Sequence, residues 1–515
     1  MWRKHWVVGM VVGIALAVCL WSSPWAGQAV ADVTVIANPE QKPAAVTYSA
    51  EVWLDMNERV VKGTLTTRFV PQDDKAFFHL YPNAFATEAD LRSENWEQVL
   101  GKQREPGGIA ISAVKVNGRQ ADVRYEGKTN TLLRVPLPQL PPNKAKAETV
   151  VEMSFRLQVP YNNGRLSYHD HAMWLGNWLP ILAVKDSGGW RLDPYTAIGD
   201  PFYSEVANYH LRVHLPEGYQ LATTGLESVA VVTQTRPQRQ SIYELDAWNV
   251  RDFAMVVMDD TYQAMSGKVG ETVVRTWSQQ GDDAAVVNSL HQTAMESLDY
   301  YGKQFGTYPY KEYDVVKTGG FFGGMEYPSL VFIEEEFFNT ANSMGAAVVA
   351  HETAHQWFYG IVGNDEVREA WLDESLTDYA TMAFLQEKDA KRAQAYMRMR
   401  QGQSRAAEAY AKQGIDAETS VTAFPDWKSY NELVYGRSGV MWWTLRDAWG
   451  AERLNQLLRQ YVSEHQYGLA NGAAIKELVS AASGADATPF FDYWLHLKLE
   501  LAEAANGWLE KVKHE

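Results

Sequence analysis

The stretch Val348–Gly360, VVAHETAHQWFYG, carries His351 and His355 four positions apart with Glu352 between them. On a helix, positions i and i+4 share one face, so two imidazoles at this spacing can grip one metal ion. A carboxylate beside them can take a proton from a water that bound zinc has acidified toward a pKa of about 7. The same residues also suit a buried helix whose imidazoles do no chemistry, and the short pattern alone leaves both readings open. A third ligand separates them, because catalytic zinc takes three protein ligands and keeps one position open. Glu374, nineteen residues after His355 in REAWLDESLTDYATMAF, begins the next helical pattern. A loop around Gly360–Glu366 lets that helix fold back on the histidine pair. His351, His355 and Glu374 are the expected ligands of one catalytic Zn2+, with Glu352 as general base. Ligating histidines usually donate their other N–H to a carboxylate or carbonyl. Asp378, one turn after Glu374, is a candidate for that role, with an exposed helix aspartate as the competing reading.

The elements around this helix divide the chain. In TYSAEVWLDM, Tyr48, Ala50, Val52, Leu54 and Met56 alternate with more polar positions, and ANYHLRVHLPEGY places Tyr209, Leu211, Val213 and Leu215 on one face. Period-two alternation marks half-buried strands, and VNGR, YNNG and LPEGY punctuate them as turns. His210 and His214 fall on the outward face of their strand and read as exposed. Residues 46–262 are expected to form an all-β domain. Beyond WNVRDFAMVVMDDTY, helical periods dominate, with EYDVVKTG and SLVFIEE as strands between the first two helices. Residues 263–515 therefore read as a mixed domain, a small sheet with mainly helices, and the whole as multidomain α+β.

Three separately placed motifs make the chain similar to the aminopeptidase N family of gluzincin zinc metallopeptidases. VVAHETAHQWF followed by WLDES resembles the family's His-Glu-x-x-His, eighteen-residue interval and Glu. GGMEYP, Gly323 to Pro328, resembles its Gly-x-Met-Glu-Asn motif, with Glu326 placed 25 residues before His351. ELVYGRSGVMWWTLRDAWG resembles its catalytic-tyrosine segment, and GDPFYSEVANYHLRVHLPEGYQLATTG its β-domain entry to the site. The resemblance covers residues 45–500 and implies a saddle-like β-sandwich followed by a thermolysin-like catalytic domain. It assigns Glu326 to the α-ammonium of a peptide with a free N-terminus, with Gly323, Gly324 and Met325 alongside as substrate-binding residues. It makes Tyr435 the hydrogen-bond donor to the oxyanion, with Tyr430 as rival. Two departures stand out: Tyr327 replaces the family's asparagine, and Ser375 replaces a glycine. A second amine anchor is expected near HDHAMWLGNWLP, where Asn177 is a candidate. His169 and His171 in that segment read as surface residues.

A formal net charge of −16 argues against nucleic acid as a partner, because phosphate-binding surfaces are basic. Arg3 and Lys4, the 14-residue apolar run Val7–Leu20 and Ala29-Val30-Ala31 read as a signal peptide over 1–31, followed by a tether over 32–45. An exported protein, secreted or tethered to the outer face of the membrane through that run, is the expectation. Cys19, the single cysteine, lies within the signal, so the mature chain would hold no disulfide. The resemblance also implies a short, bacterial-type member without the further C-terminal domains of longer relatives, and hence a more open site. The leading function is a zinc aminopeptidase. A thermolysin-type endopeptidase shares the ligand set, a branch with epoxide hydrolase activity exists, and an inactive scaffold of the same fold is the alternative outside enzymes.

Overall fold

The computed structural model describes residues 44–138, 147–233, 240–320, 323–339 and 344–513. The expected signal peptide, and all of the expected tether but its last two residues, lie outside the described residues. Among the described residues no helix is long and apolar enough to cross a membrane.

An eight-stranded sheet dominates the N-terminal half. Its order is Leu226–Thr233, Gln240–Val250, Ala207–Pro216, Val46–Asp55, Val60–Phe69, Thr149–Gln158, Gly108–Val116 and Arg119–Gln120. Val46–Asp55 runs parallel to Ala207–Pro216 (Val52 opposite Val213) and antiparallel to Val60–Phe69 (Val52 opposite Gly63). The alternation read from the sequence matches burial: Tyr48, Ala50, Val52 and Leu54 point into the core, as do Tyr209, Leu211, Val213 and Leu215. His210 and His214, expected to be exposed, are half-buried instead, since each donates to a carboxylate neighbour, Asp246 at 2.6 Å and Glu51 at 2.9 Å. Two four-stranded sheets pack onto the large one, and a short helix α1 (Glu94–Leu100) interrupts the β region, capped by the Ser93 side chain.

The second half opens with a hairpin, Tyr262–Val269 and Thr272–Gln279, that the helical reading of this region did not foresee. It joins Glu312–Thr318, Leu330–Glu334 and Gly324–Met325 in a five-stranded sheet. Helix α2 (Ala284–Phe305), capped by Asp283, packs on this sheet and against α3 (Gly345–Ala354). Helix α4 (Ala370–Lys388) is buried on every side from Ala370 to Leu385, so it is a central rod rather than a surface helix. Helix α5 (Ala390–Ala407) and α7 (Ser438–Trp449) pack against it, with the single turn α6 (Trp427–Tyr430) between them in sequence. The chain is thus α+β, an all-β region followed by a mainly helical one.

Candidate active site

Helix α3 presents its C-terminal turn to a cavity of about 300 Å³. Val349, Ala350 and Ala354 hold it in the helical core, and the Tyr301 hydroxyl donates to the Ala350 carbonyl at 3.1 Å. His355 caps the helix, its N–H still bonded to the His351 carbonyl at 3.2 Å, so the two rings stay one turn apart. The second turn of α4 brings Glu374 opposite. His351 Nε2 lies 3.2 Å from His355 Nε2 and 3.2 Å from Glu374 Oε2, and His355 Nε2 lies 3.3 Å from the same oxygen. Donors bound tetrahedrally to zinc at about 2.0–2.2 Å would stand about 3.3–3.5 Å apart. The three atoms therefore suit one zinc ion with little rearrangement. His355 Nδ1 faces the Phe358 carbonyl at 3.0 Å, the contact that would leave Nε2 unprotonated for a metal.

The electrostatics point the same way. Burial alone would raise the Glu374 carboxyl, but hydrogen bonds from both histidines hold it below the usual carboxylate range. Asp200, Glu326, Glu352 and Glu374 line the cavity against Arg165, while Arg400, which also lines it, is matched by Asp378 behind it. Burial raises Asp200, Glu326 and Glu352 among these four acids, so each would ionise more readily once a cation such as zinc or an ammonium is bound beside it. Glu326 Oε1 and Glu352 Oε2 are both buried without a hydrogen-bond partner, an arrangement that marks sites built for something else to bind.

Each carboxylate is placed by a specific neighbour. A Cβ on Gly324 would lie 2.4 Å from the Glu352 carboxyl, so only glycine lets that side chain rest on the strand. Gly323 adopts φ of 81°, a left-handed conformation, and closes the turn through bonds with Glu334. Gln356, the residue after His355, donates to the Tyr327 carbonyl at 3.1 Å and accepts from Ser329 N at 2.8 Å. It thereby ties the Glu326 turn to the end of the histidine helix. Asp373 lies within 4.8 Å of both Glu326 and His355, and burial pushes its carboxyl up to about 8.

Several expectations need revision. Met325 turns away from the cavity, as strand alternation beside Gly324 and Glu326 requires, and its sulfur accepts from Arg165 Nε at 2.8 Å. Asn177 does not reach the cavity either, because its Oδ1 accepts from the Tyr327 hydroxyl at 2.7 Å. From the β region Gln98, Val99, Arg165 and Asp200 reach it, the last two a buried ion pair that sequence reading missed. Asp378 makes no hydrogen bond to His351; its Oδ1 takes Arg400 and Tyr396 instead, and His351 Nδ1 and Asp378 Oδ2 are both left without a partner. Tyr435 donates to Glu374 Oε1 at 2.5 Å from a π-helical turn, Asn431–Arg437, where its rival Tyr430 sits in the core behind it. His171 pairs with Asp259 at 2.8 Å, and neither His169 nor His171 joins a group of metal donors among the described residues.

Tyr327, the departure from the family motif, is fully buried against Phe332, with its hydroxyl over Gly176. A Cβ on Gly176 would lie 2.1 Å from that hydroxyl and 2.8 Å from the Arg165 carbonyl. Gly176→Ala is therefore expected to destabilise the fold by about 1–3 kcal/mol through overpacking. Because Tyr327 adjoins Glu326, it should also raise KM, and thermal melts with steady-state kinetics check both.

Comparison with known proteins agrees with this geometry. Residues 290–494 match the Peptidase family M1 domain. Aminopeptidase N of Lactococcus lactis subsp. lactis is 28% identical over 34% of this chain and 22% of its own length. Tricorn protease-interacting factor F2 of Thermoplasma acidophilum is 26% identical over 40% of this chain and 28% of its own. The match thus takes in under a third of these relatives. An M1 zinc metallopeptidase from Deinococcus radiodurans shares the fold, with a TM-score of 0.60 and 16% identity over 88% of this chain and 95% of that one. A mutant of that protein has been solved bound to a Tyr-Ser-Ala substrate at the same TM-score of 0.60 and 16% identity, covering 88% of this chain and 94% of that one.

Proposed function

We propose, from the Peptidase family M1 domain that this chain carries over residues 290–494, that it is a zinc-dependent aminopeptidase removing the first residue of peptides with a free N-terminus. The observation that carries this reading is the partnerless Glu326 carboxylate, buried in the same cavity as the three-donor set. A zinc ion held by His351, His355 and Glu374 would polarise the scissile carbonyl and acidify a water. Glu352 takes the proton of the attacking water at Oε2 and delivers it to the departing amine. The Tyr435 hydroxyl, resting on Glu374 Oε1, is the donor available to the oxyanion as the carbonyl is attacked. Glu326 receives the α-ammonium, and Asp200, pinned by Arg165, supplies a second negative charge from the β region. Anchoring the amine sets how far the reacting carbonyl lies from it, which is what restricts cleavage to the first bond.

Glu326→Ala tests the amine assignment. It should lower kcat/KM on amino-acid anilides by about 100-fold, since it leaves a buried ammonium without its counter-charge. Zinc content should not change. Undiminished anilide hydrolysis would remove Glu326 from this role and favour an endopeptidase.

A further inference from the structure

Arg400 reaches the cavity from α5, and an arginine beside a peptide site would ordinarily suggest capture of a substrate carboxylate. Each of its three nitrogens already has a partner. Nε donates to Asp378 Oδ1 at 2.8 Å, Nη2 to the Tyr396 hydroxyl at 2.8 Å and Nη1 to Gln403 Oε1 at 3.1 Å. The Tyr396 hydroxyl in turn donates to Asp378 Oδ1 at 2.6 Å, so the three side chains lock one another. Arg400 also presents the face of its guanidinium, whose centre lies 5.1 Å from the centroid of the Tyr435 ring and 4.8 Å from that of Tyr396. The backbone of Tyr435 is fixed from the same helix: a Cβ on Gly436 would lie 2.5 Å from Gln403 Cβ, so the π-turn and α5 meet at a distance only glycine allows.

We propose that Arg400, held by Asp378 and Tyr396, is a positioning residue for Tyr435, fixing its ring and strengthening its hydroxyl as a donor to the oxyanion. The proposal rests on the reading of Tyr435 given above. Asp378 lies on α4 one turn after Glu374, so the same rod that carries a metal ligand also sets the tyrosine, through α5. A cation over an aromatic face draws density from the ring, which makes the phenol O–H a stronger donor. A ring held in one orientation also loses no freedom when the oxyanion forms. π-Turns occur frequently at functional sites, and this one places Tyr435 where α5 can grip it.

The test is a set of mutant cycles. Arg400→Met should lower kcat by about tenfold and Tyr396→Phe by about threefold, with KM within about twofold of the parent. Neither should lower kcat further in a Tyr435→Phe background, and zinc stoichiometry by elemental analysis should not change in any variant. Arg400→Met strands the buried Asp378 charge. Tyr396→Phe and Arg400→Lys keep that carboxylate partnered, and they carry the test if the methionine chain does not fold. Losses that multiply with Tyr435→Phe, a raised KM at constant kcat, or unchanged kcat in the folded variants would each overturn the proposal. Full turnover in Tyr435→Phe alone would instead overturn the assignment of Tyr435 on which the proposal rests.

Discussion

A Glu352→Gln chain is expected to turn over peptide about 10³-fold more slowly than the parent while binding zinc in full, and its zinc-free form should melt at or above the temperature of the zinc-free parent. The amide has the same shape, so it still fits against Gly324, but it cannot take a proton from water. The rise in stability follows from the site's construction. Burial, with Glu374 and Asp200 nearby, pushes the Glu352 carboxyl up to about 8 despite the opposing charges of His355 and Arg165. A group raised above its unfolded value is most favourable to the fold when protonated and burdens it as the pH rises through the folded value. Removing the ionisable group should therefore relieve the fold at neutral and alkaline pH, the exchange of stability for activity common at catalytic centres. Thermal melts at pH 6 and pH 9, beside single-turnover rates, measure both effects.

Tyr435→Phe should lower kcat by about 10²–10³-fold with KM little changed, because the lost hydrogen bond matters only once the oxyanion forms. Tyr430→Phe is the matched control. Its hydroxyl is buried with no partner and lies outside the cavity lining, so its loss should leave kcat near the parent value. Equal losses from the two substitutions would mean that the aromatic cluster, rather than one donor, sustains turnover.

How much of this was legible in the sequence follows from the range of each interaction. His351, Glu352 and His355 are neighbours on one helix, and helical periodicity alone brings them together. Glu374, Glu326 and Tyr435 came from intervals and motif resemblance, and the structure gathers all of them around one cavity. The strand alternation at Tyr48–Leu54 and Tyr209–Leu215 was equally plain, because one face of that sheet is buried. What escaped is what depends on pairing between distant segments. Arg165 and Asp200 sit in β-region loops with no pattern of their own, and only the fold closes them onto the Glu326 strand. Asp378 read as a candidate partner for a ligating histidine or as an exposed helix residue, but a residue 22 positions on, Arg400, claims its Oδ1. Met325 follows its motif yet points the other way, since side chains alternate along even a two-residue strand. Tyr327 is absorbed by the absence of a side chain at Gly176, a complementarity that neither position reveals alone. The π-turn under Tyr435 has its one sequence trace in Gly436, whose missing side chain admits α5.

The most direct test of the central claim is mass spectrometry of one peptide in two forms, free and N-acetylated, incubated with the purified chain with and without a zinc chelator. The proposed function predicts stepwise loss of N-terminal residues from the free peptide, no product from the acetylated one, and no product from either with chelator present. Internal cleavage of the acetylated peptide, or trimming that survives the chelator, would contradict it.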